Sequence, residues 1–144
     1  MHDRDLREIA DTCACFHARE AARAVTRAYD RAFAPLGLRA TQFSLLVALS
    51  VAGPPTITVL AERLGMDRTT LTRNLRPLLR DGYVELAPAD GPRPRPPAIT
   101  RKGRALLDKA RDRWREAQDA LARKLGRDGM TRALETLSAL RAAA

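Results

Sequence analysis

The chain has 144 residues, 45% of them apolar but only 4% aromatic, and 26 Lys and Arg stand against 17 Asp and Glu for a net charge of +9. That length fits one domain with an aliphatic core, and no run approaches the roughly 18 apolar residues of a membrane span. The mixed-charge start, MHDRDLREIAD, reads as neither a secretory nor a transit peptide, so a reducing cytoplasm and two free thiols are expected.

In chain order, the pattern predicts one long helix from Asp5 to about Ala34, stopped by Pro35 and Gly37. It carries two apolar stripes, Leu6-Ile9-Cys13-Phe16 and Cys15-Ala18-Ala22-Val25-Tyr29. Two stripes imply two packing partners, one of them a second subunit. Thr41 is the expected N-cap of a helix carrying Phe43 to Leu49, ended by Gly53-Pro54-Pro55.

Thr56 or Thr58 then opens a short helix to Leu64, Gly65 breaks it, and Asp67 caps a helix from Arg68 to about Arg80. This is a helix-turn-helix signature. Pro77 is expected to bend or tighten the last turn. Val84–Ala87 and Ala98–Ile99 read as a short hairpin around a turn rich in Pro and Arg, the wing of a winged helix-turn-helix. Thr100 caps a long helix to about Leu125, and a last helix runs from roughly Met130 to Arg141 with Leu134, Leu137 and Leu140 on one face.

The charge is placed, not scattered. Arg68–Arg80 holds four Arg and no acid, and Gly91–Leu107 holds four Arg and one Lys, again with no acid. On the helix from Arg68, Leu71, Leu75, Leu78 and Leu79 share one face. The opposite face carries Thr69, Thr70, Arg73, Arg76 and Arg80, with Arg68 and Thr72 at its margins. Arg can bond guanine bidentately and a Thr methyl can meet a thymine methyl, while Thr hydroxyls and N-terminal amides suit phosphate. Arg93 and Arg95 stand at the wing, where a slim cationic side chain suits the minor groove. The expected partner is double-stranded DNA.

The stretch LAERLGMDRTTLTRNLRPLLRDGYVE (60–85), the Asp90…Arg93 wing and the run Ile99-Thr100-Arg101-Lys102-Gly103-Arg104-Ala105-Leu106 together resemble the MarR family of bacterial transcription regulators. The resemblance covers nearly the whole chain. It implies a mainly α fold, a winged helix-turn-helix over about residues 41–100 with dimerisation helices at about 5–34 and 101–142. It also implies a homodimer whose winged units each bind half of a pseudo-palindromic operator, and repression relieved by a signal. Prolines in the wing depart from the family pattern.

Cys13 and Cys15 lie two apart, so a continuous helix would point them about 200° from each other. Neither pairing nor a metal site with His17 fits that geometry, and no cofactor or metal is expected. They are either small buried apolar residues or sensors. The segment from Cys15 to Tyr29 is similar to the sensing helix of the family's organic hydroperoxide regulators. The resemblance makes Cys15 the reactive thiol and Tyr29 its contact from the partner subunit; Ala40 stands where those proteins carry a further tyrosine. The other signal is a small aromatic effector between the terminal helices and the winged unit, with Phe43 and Trp114 as walls. Two different readings stand beside a regulator: a thiol-based peroxide-consuming enzyme and a winged-helix protein-interaction module. The chain has no Ser-His-Asp set, phosphate loop or metal cluster to support the first.

Overall fold

Leu71, Leu75 and Leu78 recur at helical spacing and are all buried. They anchor the helix that carries the basic face to an aliphatic core shared with Leu45, Leu46, Leu49 and Leu60. The structure, a computed structural model, describes residues 3–88, 91–92 and 94–144. Its elements are α1 (Asp3–Thr12), α2 (Ala14–Phe33), a 3-10 turn (Ala34–Leu36), α3 (Ala40–Ala52), α4 (Ile57–Leu64) and α5 (Arg68–Arg80). They are followed by β1 (Val84–Leu86), β2 (Pro97–Ile99), α6 (Arg101–Leu125) and α7 (Arg127–Ala143). The strands pair antiparallel, Val84 opposite Ile99 and Leu86 opposite Pro97. This is the mainly α winged helix-turn-helix expected from the sequence.

The core holds one fully buried aromatic ring, Phe33, stacked on Phe43 with centroids 4.7 Å apart. It lies where α2 and α3 meet, and α6 crosses both. The opening of α6 locks the wing to this body. Thr100 Oγ1 accepts the Gly103 amide at 3.0 Å and donates to the Gly82 carbonyl at 2.7 Å. Lys102 Nζ donates to the Asp81 carbonyl at 2.7 Å and lies 4.8 Å from the Tyr83 ring centre.

The terminal helices differ. Leu6, Ile9 and Phe16 at one end, and Leu134, Leu137 and Leu140 at the other, are all between 43% and 56% exposed. Within one chain α7 packs along α6, and the leucine stripe of α7 remains uncovered.

Several boundaries depart from expectation. The first helix is not continuous: Cys13 adopts an extended backbone (φ −70°, ψ 108°) between α1 and α2. No Gly or Pro marks the break. Thr12 Oγ1 donates back to the Glu8 carbonyl at 2.7 Å, a side-chain bond that competes with the helix ladder. At the other end α2 stops at Phe33, just ahead of Pro35 as expected, and a 3-10 turn carries the chain to Gly37 at φ 64°. Thr41 is not the cap of α3. The cap is Arg39, two residues earlier, with Gln42 Oε1 accepting the Arg39 amide at 2.9 Å and Asp30 Oδ1 accepting the Ala40 amide at 2.8 Å. The last helix, expected from roughly Met130, starts at Arg127 and includes Gly129. β1 ends at Leu86 rather than Ala87. α5, by contrast, keeps its expected bounds and runs through Pro77 to Arg80.

Candidate nucleic-acid interface

Two caps and one glycine set the geometry of the helix-turn-helix. Thr56 Oγ1 accepts the Val59 amide at 3.3 Å and opens α4. Gly65 ends α4 at φ 61°, a left-handed conformation that a side chain would strain. Asp67 then caps α5. Its Oδ1 accepts the Thr70 amide at 2.8 Å and its Oδ2 accepts the Thr70 hydroxyl at 2.7 Å. These bonds hold the Asp67 carboxyl below the usual aspartate range.

Arg68, Thr69, Thr72, Arg73 and Arg76 line one open basin of about 290 Å³ on the outer face of α5. Among the described residues none of these three arginines has a carboxylate within ion-pair distance. Arg80 differs: its Nε and Nη2 bond Asp81 at 2.8 and 3.1 Å, which raises the Arg80 pKa and lowers that of Asp81. Thr70 belongs to the cap rather than the basin, half-buried with its hydroxyl engaged by Asp67. The Thr72 hydroxyl donates to the Arg68 carbonyl at 2.8 Å.

Arg95, expected to face DNA from the wing, is turned across the hairpin onto the outgoing strand. Its Nε donates to the Ala87 carbonyl at 3.0 Å and its Nη2 to the Leu86 carbonyl at 2.6 Å. Asp90 and Arg93 lie outside the described residues. Sequence reasoning missed Lys102, which ties α6 to the end of α5; its place in the basic run was the only signal.

The second constellation lies between α2, α3 and α6. Val25, Thr26, Tyr29, Phe33, Ala40, Phe43, Ser44 and Trp114 line a cavity of about 280 Å³. The structure therefore brings Phe43 and Trp114 together with Tyr29. The Tyr29 hydroxyl donates to Gln118 Oε1 on α6, and burial pushes its pKa up. Tyr29 and Cys15 sit near opposite ends of α2, about 21 Å apart at 1.5 Å per residue. Cys15 is exposed and Cys13 half-buried, both as free thiols. The break at Cys13 removes the continuous helix on which their opposed orientation was predicted.

The family profile described as the MarR family matches residues 36–93. No curated protein sequence matches the chain. Among solved structures, the transcriptional regulator MosR of M. tuberculosis is 39% identical, with a TM-score of 0.79 over 94% of this chain and 99% of that one. A second MosR structure, in complex with DNA, is 41% identical with a TM-score of 0.81, covering 91% of this chain and 95% of that one. The transcriptional repressor CouR, bound to p-coumaroyl-CoA, is 25% identical with a TM-score of 0.82, covering 92% of this chain and 94% of that one. CouR bound to a 23-mer DNA duplex matches with the same identity and TM-score. The chain belongs to the MarR family of transcriptional regulators.

Proposed function

We propose that the protein is a homodimeric, sequence-specific DNA-binding repressor that releases a pseudo-palindromic operator on a signal. The observation that carries this reading is the basin on α5, where Arg68, Arg73 and Arg76 lie exposed opposite the buried leucine face, without carboxylate partners among the described residues. Arg68, Thr69, Thr72, Arg73 and Arg76 would meet the major groove, with Thr70 setting the helix start, and Arg93 and Arg95 would belong to the wing. A relative 41% identical has been solved in complex with DNA, which supports the DNA-binding reading. The uncovered stripes of α1 and α7 suit a two-fold interface, so the whole chain acts as one unit, with helices about 5–34 and 101–142 joining the copies. A two-fold dimer sets its reading helices about 34 Å apart.

No single helix among the described residues is long and apolar enough to cross a membrane, which accords with a cytoplasmic regulator. We read the thiols as a switch rather than a turnover site, because relatives this similar are transcriptional regulators. An exposed Cys15 beside a helix break, on an end of the chain that packs weakly, favours oxidation as the signal. In that step a peroxide transfers one oxygen to the Cys15 thiolate, giving a sulfenic acid and releasing an alcohol or water. The cavity at Phe43 and Trp114 favours a second reading, a small aromatic effector, and a CoA thioester of an aromatic acid is what CouR carries in its structure.

The test is selection of duplexes from a random-sequence pool by the reduced protein, followed by binding across a salt series. A pseudo-palindromic consensus is expected, with affinity falling on the order of a thousandfold between about 50 and 200 mM salt. No enriched sequence and a flat salt response would overturn the reading.

A further inference from the structure

Four of the six residues from Pro92 to Pro97 are proline, and this removes backbone donors where a wing needs them. One step beyond the paired strands, the Ala87 amide donates to the Pro96 carbonyl at 2.8 Å. In a regular antiparallel pair that position exchanges two bonds, the second running from the amide of residue 96 back to the Ala87 carbonyl. Pro96 has no amide hydrogen, so the backbone cannot make this rung.

The Arg95 side chain makes it instead. Its Nε donates to the Ala87 carbonyl at 3.0 Å while its Nη2 donates to the Leu86 carbonyl at 2.6 Å. Two adjacent carbonyls of the outgoing strand are thereby tied to the returning strand by one rigid fork. Lysine offers a single ammonium without that fork. The β1–β2 ladder is only three residues long on each side, so little else fixes the angle at which the tip leaves the body.

We propose that Arg95 is a positioning residue of the wing: its guanidinium replaces the rung that Pro96 cannot form and sets the direction of the proline-stiffened tip, rather than contacting phosphate. The proposal rests on the DNA-binding reading above and adds to it a division of labour between the wing arginines.

Two measurements test it, on full-length wild type, Arg95→Ala, Arg95→Lys, Pro96→Ala and the Arg95→Ala/Pro96→Ala double variant. In the free protein, hydrogen exchange at the Ala87 amide should speed up in both Arg95 variants and slow again in the double variant, whose restored amide can donate. Binding to the duplex selected by the wild type should fall roughly tenfold in Arg95→Ala and in Arg95→Lys alike, about the weight of one charge-assisted bond. The salt slope should stay at the wild-type value, and the Arg95→Ala loss should shrink in the Pro96→Ala background.

If Arg95→Lys retains affinity while Arg95→Ala lowers the salt slope by about 0.9, the residue is a phosphate contact and the proposal fails. Unchanged Ala87 exchange also overturns it. If the wild type binds no duplex, the DNA reading falls and the positioning role with it, whatever the exchange rates show.

Discussion

Gly103 on α6 rests directly against the carbonyl oxygen of Tyr83: a Cβ there would overlap that oxygen and stand 2.8 Å from Ile99 Cγ1. The glycine needs no special backbone angle; it is required by how closely α6 approaches the chain leading into the wing. Gly103→Ala forces the backbone apart and breaks the Thr100 bonds to Gly82 and Gly103. The expected loss is about 1–3 kcal/mol of stability, in the range of other overpacked sites. Urea unfolding measures it, and a variant as stable as wild type would show that the contact relaxes freely.

Asp67 makes stability depend on pH. Its folded pKa is lowered by the Thr70 bonds, so the bonded carboxylate stabilises the fold above the usual aspartate pKa. That contribution is lost as pH falls through the lowered folded value. Asp67→Asn keeps one acceptor but does not titrate. Thermal melts from neutral to acid pH should therefore show a smaller acid loss for Asp67→Asn than for wild type, with the gap between them closing at low pH. Parallel curves would remove Asp67 from the acid transition.

Arg73 and Arg76 share the basin but differ in reach. Arg73 lies nearer the N-terminal half of α5, the part that enters deepest in a helix-turn-helix. Arg73→Ala should cost about 1–3 kcal/mol of operator affinity and relax the preference at one base position. Arg76→Ala should weaken selected and random duplexes together and reduce the salt slope by about one phosphate. Both side chains are exposed and make no ion pair among the described residues, so melting temperature should hold. Competition between selected and random duplexes separates the two roles, and equal effects on both duplexes from Arg73→Ala would take base reading away from it.

These helix-turn-helix assignments were legible because local rules govern them. Asp67, Thr56, Thr100 and Gly65 each do what their residue type does at a helix end, and the leucine spacing of α5 is itself the burial pattern. The wing was half legible. Prolines announced an irregular hairpin, but the folding back of Arg95 depends on which carbonyl lost its donor, and that is a property of register. The break at Cys13 was not legible, since no Gly or Pro marks it and a Thr bonded back to a carbonyl four residues earlier also occurs within unbroken helices. The start of α3 was misread for a related reason: the amide of its first residue, Ala40, is satisfied by Asp30, ten residues away on another helix.

Trp114 is the only tryptophan in the chain, and it walls the cavity that holds Phe43 and Tyr29. Its fluorescence therefore separates the two signals. An aromatic acid or its thioester that enters the cavity should quench Trp114 saturably, and Phe43→Ala should weaken that titration by about tenfold through loss of ring contact. Peroxide acting at Cys15 should release the operator without a saturable quench, and Cys15→Ser should abolish the release. Release of Cys15→Ser by peroxide would remove the thiol as sensor, and an unresponsive Trp114 across a panel of aromatic acids would remove the cavity.

Leu137 tests the dimer. It is 56% exposed on α7 within one chain, so its replacement should not disturb the core around Phe33 and Leu71. In a two-fold assembly through α1 and α7 the same side chain is buried against the second copy. Leu137→Asp then places a carboxylate in an apolar contact, a cost that should raise the dimer dissociation constant a hundredfold or more on the order of several kcal/mol. A monomer holds one half-site, so operator affinity should fall with dimerisation, while the circular dichroism of the α2–α6 body persists. Sedimentation at falling concentration reads the assembly directly. A Leu137→Asp protein that sediments and binds like wild type would place the interface elsewhere than the leucine stripe of α7.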